Sequence, residues 1–324
     1  MDKQIDVVIP WVDDGDSEWV KKKNQFLDSD EGYGQFAASN RYTEYGTLKY
    51  VLRSIEHNMP WVGKIFLLTD NQVPSWLNLK NTIIVDHKEF IKGKLPTFNS
   101  NVILTSIGNI KDLSENFIIF NDETIVWSPV KKENFFVNDL PVDSLIESGT
   151  VPKIDGFFHI SQNDVAIINE HFNKRQVYKE HFFKFFNFKY GIQNIRNILS
   201  LPYGGFLGFQ NQHLVMPYTK ANFQNAYKMF NDDFEKTWTH RFRELSDVNE
   251  WLIRYARNVE GKFQPGYLKG QFFSLSDFQT STPEIKKNTK IVVINDDGNY
   301  SASVTTTVNR FLQTRFPEKS KYEK

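Results

Sequence analysis

The stretch that decides the fold covers residues 117–123 and reads Phe117-Ile118-Ile119-Phe120-Asn121-Asp122-Glu123. Four consecutive apolar residues indicate a buried strand, and three polar residues end it abruptly. In an open α/β sheet, ligands bind outside the carboxyl ends of the strands. Carboxylates at such an end suit Mg²⁺, which prefers oxygen ligands and keeps waters and substrate phosphates in its shell. The same residues also suit a turn or a helix N-cap, and the stretch alone leaves both interpretations open.

Apolar runs that end on polar residues recur along the chain. The runs that predict further strands cover residues 5–12, 65–70, 82–85 and 290–296. Apolar residues at helical spacing predict helices at residues 18–27, 45–55, 98–110, 164–188, 223–230, 248–259 and 304–312. Strands that alternate with helices build a mostly parallel sheet flanked by helices. We therefore predict an α/β fold with residues 1–324 in one domain and a helical insertion at about residues 160–205.

Composition narrows the class of protein. The 324 residues are 40% hydrophobic, which is enough for a substantial core. Basic and acidic residues each number 39, so the excess positive charge typical of nucleic-acid binding is missing. The absence of cysteine excludes disulfides, thiolate catalysis and cysteine-ligated zinc, and suits a reducing compartment. No apolar run approaches the ~20 residues of a spanning helix. We predict a cytoplasmic protein without a signal peptide or transmembrane segment.

Two segments carry expectations of their own. Residues 164–188 are rich in phenylalanine and lysine, which suits an amphipathic helical cap over the sheet and, alternatively, contact with a membrane. Of these two interpretations, we favour the cap. The charged tail beyond Pro317 is expected to be frayed, as chain termini often are.

Four blocks of the chain, in order and with their spacing, carry a family resemblance. The blocks are residues 5–13 with Trp11-Val12-Asp13, residues 40–77 with Thr69-Asp70-Asn71-Gln72, residues 98–123 with Phe98-Asn99-Ser100-Asn101 and Asn121-Asp122-Glu123, and residues 213–243 with Thr237-Trp238-Thr239-His240-Arg241-Phe242-Arg243. Together they resemble the Stealth family of sugar-1-phosphate transferases, which includes bacterial capsular and receptor polysaccharide phosphotransferases and the lysosomal-enzyme N-acetylglucosamine phosphotransferase. Residues 294–296 and 316–320 also look like the bacterial members. The resemblance implies a Rossmann-like sheet similar to that of glycosyltransferases of the A type.

The chain departs from the family pattern at three positions. Glu123 stands where the family usually carries aspartate, which keeps the charge and lengthens the side chain. Leu104 and Gly108 match positions where the family usually carries glutamate and histidine. The loss of two polar groups suits a changed donor or acceptor and, alternatively, a protein that no longer turns over. We expect a reshaped pocket, because Asp122 and His240 are both present.

The resemblance implies a reaction at phosphorus. A hexose- or HexNAc-1-phosphate would pass from a nucleotide-diphosphate sugar, with uridine diphosphate as the expected carrier, to a hydroxyl of a glycan or lipid-linked oligosaccharide. A nucleoside monophosphate would leave. The implied setting is the synthesis of capsular or other cell-surface polysaccharide, and a lipid-linked acceptor would place the chain at the inner face of the membrane. Because charge on the phosphoryl oxygens must be balanced, Asp122 with Asn121 or Glu123 is the predicted ligand set for Mg²⁺ or Mn²⁺.

A histidine is the expected general base, since an ordinary histidine pKa of about 6.5 leaves much of the side chain neutral near pH 7. His240 matches the family's reactive histidine, although without that match it would be interpreted as a surface residue. Arg243 is the predicted partner for phosphate oxygens, and with His240 and Asp122 it forms the predicted catalytic set. The residues expected to bind donor or acceptor are Asp13, Asp14, Arg41, Arg53, Asn71, Gln72, His213, Lys220 and Arg241.

Three other functions compete with this prediction. An ordinary metal-dependent glycosyltransferase would release a nucleoside diphosphate, so the released nucleotide distinguishes it. A non-catalytic glycan-binding relative is favoured by Leu104 and Gly108, and consumption of a nucleotide sugar would exclude it. A purely structural or interaction protein gives no reason for acids at the ends of several strands.

Overall fold

The computed structural model describes residues 3–27, 42–151, 156–298 and 301–324, with the backbone alone for residues 156 and 157. The strands are β1 Ile5–Pro10, β2 Ile65–Thr69, β3 Ile83–Asp86, β4 Asn116–Ile119, β5 Thr124–Val126, β6 Phe136–Val137, β7 Leu140–Asp143, β8 Met216–Thr219, β9 Gln264–Pro265, β10 Gly270–Ser274 and β11 Ile291–Asn295. The helices are α1 Ser17–Leu27, α2 Leu48–Asn58, α3 His87–Phe90, α4 Ser100–Ser106, α5 Gly156–His171, α6 Lys174–Glu180, α7 Phe182–Phe185, α8 Asn194–Ser200, α9 Lys220–Met229, α10 Asn231–Trp238, α11 Glu250–Val259 and α12 Ala302–Arg315. Arg41, a predicted donor-binding residue, lies outside the described residues.

The central sheet has five strands in the order β3-β2-β1-β4-β8. β1 pairs in parallel with β2 and β4, β2 pairs in parallel with β3, and β8 is antiparallel to β4. The carboxyl ends of β1 to β4 therefore lie at one edge, together with the amino end of β8. This strand order is Rossmann-like, with the first strand in the middle of the sheet. The predicted α/β class with a mostly parallel sheet is confirmed.

Both faces of this sheet are buried, as a parallel sheet flanked by helices requires. Val8 belongs to a core that includes side chains of α9 and α11. Its neighbours Val7 and Ile9 point to the other face and pack with side chains of α2 and α12. The strand ends are thus fixed between two hydrophobic layers, which gives any site at the carboxyl edge a rigid support.

Two smaller sheets flank the central one. The first has the order β10-β11-β5, with β10 parallel and β5 antiparallel to β11. Because β5 follows β4 after a short turn, the start of β5 and the end of β11 meet near the carboxyl edge of the central sheet. The second small sheet, β6-β7-β9, precedes the helices α5 to α8.

The C-terminal tail is packed, so the prediction that it would be frayed is wrong. Tyr322 is buried in the core beside α12, and Glu323 forms a bridge with Leu77. The guanidinium of Arg53 donates to both carboxylate oxygens of Glu323, with Nε to Oε1 at 2.8 Å and Nη2 to Oε2 at 2.7 Å. A charged tail becomes ordered when its acid meets a buried cation, and composition does not reveal such a partner.

Candidate active site

Four carboxyl groups from distant parts of the sequence meet at the carboxyl edge of the sheet. Asp122 and Glu123 follow β4, and the N–H of Ile294 in β11 donates to the Glu123 carbonyl at 3.3 Å. Asp296, just beyond β11, is close enough for its charge to act on Glu123. Glu44, which precedes α2, acts in the same way on Asp122. We call Glu44, Asp122, Glu123 and Asp296 the strand-end acids.

The strand-end acids repel one another. Burial, and next the charge of Glu44, raises the pKa of Asp122. Burial, followed by Asp122 and Asp296, raises the pKa of Glu123 well above its usual range. The carboxyl groups of Asp122 and Glu123 also hydrogen-bond each other, which requires a shared proton when no cation balances their charge.

The chemistry of the strand-end acids fits a hard divalent cation. Among the described residues, no three acids or histidines converge closely enough to form a complete metal site. Mg²⁺ does not need such a cage, because it commonly takes one or two carboxylates and completes its shell with water and substrate phosphates. Asp122 and Glu123, crowded by like charge, are the side chains that could hold it.

The loop after β1 brings two more acids to this edge. The charge of Asp13 adds to the burial that raises the pKa of Glu44. Asp14 accepts a hydrogen bond from the Thr43 hydroxyl at 2.9 Å. Gln72, which follows β2, fixes the loop, because its Nε2 donates to the Asp13 carbonyl at 2.8 Å and its Oε1 accepts from the Asp13 N–H at 3.1 Å. The structure thus brings Asp13 and Asp14 to this edge, and Gln72 holds the loop that carries them.

A recess of about 370 Å³ lies beside the ends of β2 and β3. Its volume is in the range of small-molecule sites. Asn71, in a left-handed backbone conformation with φ of 59°, is one of its lining residues. The others are Asp70, Asp86, His87, Lys88, Leu95 and Pro96. The predicted role of Asn71 in donor binding is therefore compatible with its position.

His213 lies beside the strand-end acids, and Arg243 is close enough for its charge to act on His213. His213 precedes β8, and its Nε2 is 3.5 Å from Asn121 Nδ2 and 4.0 Å from Glu123 Oε1. Burial, and next the positive charge of Arg243, lowers the pKa of His213, so this ring is mainly neutral at pH 7. Arg243 donates to the hydroxyl of Ser100 in the first turn of α4. The structure thus brings a mainly neutral imidazole to the acidic edge, with the guanidinium of Arg243 within electrostatic range of that imidazole.

His240 is oriented by a buried carboxylate. Its Nδ1 lies 2.7 Å from Oδ1 of Asp247, whose side chain is fully buried. The other oxygen of Asp247 accepts from Nδ2 of Asn99 at 2.8 Å and from Nδ2 of Asn101 at 2.9 Å. These donors stabilise the carboxylate charge, and Asp247 in turn keeps the proton of the neutral ring on Nδ1. The Nε2 of His240 is therefore the nitrogen that can accept a proton. Ser100 lies between Asn99 and Asn101 in the sequence and contacts Arg243.

The proton-accepting nitrogen of His240 faces a second carboxylate. Oε2 of Glu244 lies 3.3 Å from Nε2 of His240, and the Glu244 side chain is partly exposed. An acceptor hydroxyl can reach Nε2 only when Glu244 turns away. Glu244 is partly exposed, so this movement requires no change in the core.

Three predicted substrate-binding residues have structural contacts instead. Arg53 binds the C-terminal tail, as described above. Lys220 follows β8 at the opposite edge of the sheet, where its ammonium donates to the Ile110 carbonyl at 2.7 Å. Arg241 donates from Nη1 to the Pro96 carbonyl at 2.7 Å. These contacts stabilise the fold, and the three side chains are not part of the site proposed below.

Packing explains the departure at Gly108. A Cβ at this position would lie 2.6 Å from the Cβ of Phe223 on α9, a distance that real side chains do not tolerate. Leu104 packs against the same core. Gly108 therefore faces α9, and a histidine there would displace Phe223.

Sequence reasoning missed several residues of the site, namely Glu44, Ser100, Glu244, Asp247 and Asp296. Asp296 carried a usable signal, because it ends an apolar strand in the same way as Asn121-Asp122-Glu123. Asp247 carried none, since its partnership with His240 depends on a turn that brings together residues seven positions apart.

Comparisons with known proteins agree with the sequence resemblance. Residues 41–142 match the model "Stealth protein CR2, conserved region 2". The capsular polysaccharide phosphotransferase WcwK of Streptococcus pneumoniae is 37% identical, with 99% of this chain and 98% of that protein covered. The exopolysaccharide phosphotransferase cps2G of Lactiplantibacillus plantarum is 34% identical, with 99% and 96% covered. The receptor polysaccharide phosphotransferase WefC of Streptococcus gordonii is 35% identical, with both chains fully covered.

These relatives form one class of proteins, the polysaccharide phosphotransferases. The chain belongs to the Stealth family, as the four sequence blocks predicted. Among solved structures, the galactosyltransferase LgtC is similar with a TM-score of 0.41 and 11% identity over 98% of each chain. A score below 0.5 does not establish a shared fold, so the α/β assignment stands on the strand order of this chain.

Proposed function

We propose that this protein transfers a hexose- or HexNAc-1-phosphate from a nucleotide-diphosphate sugar to a hydroxyl of a glycan acceptor, in the synthesis of a cell-surface polysaccharide. The observation that carries the proposal is the histidine oriented by a buried carboxylate, His240 with Asp247, whose partners Asn99 and Asn101 flank the Ser100 that contacts Arg243. Three relatives that match over nearly their full length are named polysaccharide phosphotransferases, which supports phosphotransfer as the reaction class.

The reaction forms one bond and breaks one bond at phosphorus. The acceptor oxygen attacks the phosphorus that carries the sugar, and the bond from that phosphorus to the oxygen bridging the two phosphates breaks. A nucleoside monophosphate leaves with that oxygen, and the glycosidic carbon of the sugar is untouched. Catalysis of such a step consists of positioning and of balancing charge on the phosphoryl oxygens.

His240 accepts the proton of the attacking hydroxyl at Nε2. Asp247 holds Nδ1–H and stabilises the imidazolium that results, in the manner of other carboxylate–histidine pairs. Glu244 must turn away from Nε2 as the acceptor arrives. Arg243 places its guanidinium where it can contact phosphate oxygens. His213, which is mainly neutral at pH 7, is suited to hydrogen-bonding with the acceptor or the donor sugar.

A divalent cation, Mg²⁺ or Mn²⁺, would be held by Asp122 and Glu123, with Asn121 assisting. When bound, it would neutralise charge on the diphosphate. Asp13 and Asp14 would meet the nucleotide, and the recess that Asn71 lines would take its nucleoside. We place this reaction in the cytoplasm, where nucleotide sugars are made available.

The mass of the released nucleotide tests the proposal. Purified protein is incubated with Mg²⁺, a panel of uridine-diphosphate sugars and a glycan acceptor, and the products are analysed by mass spectrometry. Release of uridine monophosphate together with a glycan enlarged by a sugar phosphate is the expected result. Release of uridine diphosphate would show an ordinary glycosyltransferase instead. Absence of any turnover across the panel would favour the non-catalytic glycan-binding alternative.

A further inference from the structure

Helix α8 buries its polar residues and exposes its apolar residues. Its polar residues Asn197 and Ser200 are buried, with exposed fractions of 0% and 2%, whereas Ile195, Ile198 and Leu199 are 50%, 54% and 68% exposed. The exposed residues fall at i, i+3 and i+4, so they form one face of the helix. A helix that turns its polar face inward and its apolar face to solvent indicates a partner that covers the apolar face.

The buried polar side chains of α8 have hydrogen-bond partners, and these bonds fix the orientation of the helix. The side-chain amide nitrogen of Asn197 donates to the carbonyls of Leu145 and Phe185 at 2.9 and 2.7 Å. The hydroxyl of Ser200 donates to Oε1 of Glu147 at 2.8 Å. Rotating the helix would leave these buried polar groups without partners, at a cost that apolar burial would not offset.

The exposed apolar face continues beyond α8 onto α7 and its connection. Asn197 ties α7 to α8, and Asn194 donates to the Asn187 carbonyl at 2.8 Å, which fixes the segment around Phe188 beside the start of α8. We call this face the 182–203 surface. Its exposed members are Phe182, Phe183, Phe188, Ile192, Ile195, Ile198, Leu199, Leu201 and Tyr203.

The charge of this region has one sign. From residue 181 to residue 231 the chain contains no aspartate or glutamate, although acids and bases are equally frequent in the whole chain. The same segment contains five cations, which are Lys184, Lys189, Arg196, Lys220 and Lys228. Of these, Lys189 and Arg196 are exposed within the 182–203 surface.

We propose that the 182–203 surface docks on a membrane that contains anionic lipids. Phenylalanine, isoleucine and leucine would enter the boundary between headgroups and acyl chains, while Lys189 and Arg196 would meet the anionic headgroups. In a dimer formed through this face, the 182–203 surface of one copy would lie against the same surface of the other copy. Like charges would then oppose each other, which disfavours self-association through this face.

Binding of this kind is peripheral, with the protein at the membrane surface and no segment crossing the bilayer. None of the helices in the described ranges is long and apolar enough to span a bilayer. The proposal does not depend on the proposed reaction, because binding to vesicles can be measured without donor or acceptor. If the proposed reaction holds, docking would bring the site to acceptors carried by lipids.

Vesicle binding of the full chain tests the docking surface. Vesicles of phosphatidylcholine with phosphatidylglycerol are compared with vesicles of phosphatidylcholine alone, and bound protein is measured by flotation. The wild type should bind the anionic vesicles. The double variant Ile198→Asn with Leu199→Asn should bind at least about 10-fold more weakly, because two apolar side chains no longer enter the bilayer. The double variant Lys189→Gln with Arg196→Gln should lose about fivefold for each charge.

Matched controls lie outside this surface. Leu79 is 56% exposed, so Leu79→Asn makes a comparable change elsewhere and should leave binding unaltered. Lys80→Gln with Lys92→Gln removes two exposed charges in the same way. All variants change exposed residues, and equal melting temperatures would show that they fold.

Three outcomes would overturn the proposal. The first is a wild type that does not bind the anionic vesicles. The second is a folded variant of either pair that binds them as the wild type does. The third is a wild-type dimer in solution that Ile198→Asn with Leu199→Asn converts to a monomer, since the surface would then be an interface between two copies of the chain.

Discussion

Asp143 and the strand-end acids carry the same carboxyl chemistry, but they differ in the cations that surround them. Asp143, at the end of β7, is surrounded by cations from α11. Nε and Nη2 of Arg254 each donate to it at 2.8 Å, and Arg257 donates as well. Burial alone would raise the pKa of Asp143, but Arg254 and then Arg257 lower it to about 2. For the strand-end acids Asp122 and Glu123 the direction is opposite, and each pKa is raised.

The difference separates a structural site from a functional one. Arg254 and Arg257 lie three residues apart on one face of α11, so a single helix supplies both cations to Asp143. This ion-pair group is complete within the chain. The strand-end acids instead hold like charges close together, which raises the pKa of both Asp122 and Glu123. We interpret the first group as part of the fold and the second as a binding site.

Changes to the pair formed by His240 and Asp247 should have the largest effect on kcat, because His240 must gain and lose a proton. His240→Ala should lower kcat by about 10²- to 10⁴-fold, since the group that accepts the hydroxyl proton is removed. Asp247→Asn should lower kcat too, and the double variant should be no slower than the slower single variant, because the two residues act as a unit.

The pH profile separates this role from a structural one. In the wild type, kcat should fall at acid pH, because a protonated His240 cannot accept a proton. The His240→Ala protein should lose this acid limb. Glu235→Gln, an exposed change on α10, serves as the control. A His240→Ala protein that keeps both its kcat and its acid limb would move the base elsewhere, with His213 as the next candidate.

Asp143→Asn should be the most destabilising of the carboxylate changes. Removing the charge leaves Arg254 and Arg257 buried without a counter-ion, and the free energy of unfolding should fall by about 3–5 kcal/mol. Urea unfolding measures this loss. Asp139→Asn is the matched control, because Asp139 pairs with Lys3 at the surface and should contribute about 0–1 kcal/mol. Equal stability of the two variants would contradict the structural assignment of Asp143.

The pH dependence of stability gives a smaller effect of predictable sign. The folded-state pKa of Asp143, about 2, is depressed relative to the ordinary value of about 4 for aspartate. Its contribution to stability is therefore present above pH 4 and is lost as the pH falls through 2, and it amounts to about 2.5 kcal/mol. Unfolding measured from pH 5 to pH 2 should show this loss in the wild type. If the stability of Asp143→Asn falls by the same amount over this pH range, the loss comes from other groups.

The sequence predicted the parts of this comparison that depend on local pattern. Apolar strands that end on acids placed Asp122 and Glu123 at the carboxyl edge, because parallel strands share that edge. Partnerships between distant segments were not predictable, since no local pattern encodes them. Asp143 with α11, Asp247 with His240, and Arg53 with Glu323 are three such pairs. In each, burial brings together residues whose neighbours in sequence carry no sign of the contact.

The insertion shows a related limit. Residues 164–188 within it are rich in phenylalanine and lysine, which suited both a cap and a membrane contact, and that pattern does not reveal which residues of the following helix α8 face outward. Asn197 and Ser200 turn inward because Glu147 and two carbonyls offer them partners. That orientation follows from tertiary contacts, so the sequence alone favoured the cap.

The melting temperature of Asp122→Asn, measured with and without Mg²⁺ and uridine diphosphate, shows whether the strand-end acids bind a cation together with the nucleotide. We expect the metal-free variant to be as stable as the wild type or more stable, because a repelled charge is removed. Mg²⁺ with the nucleotide should raise the melting temperature of the wild type but not of the variant, and turnover of the variant should fall by about 10²- to 10³-fold. A variant that is less stable without metal, yet keeps both the Mg²⁺-dependent rise and its turnover, would contradict the claim that the strand-end acids form the binding site.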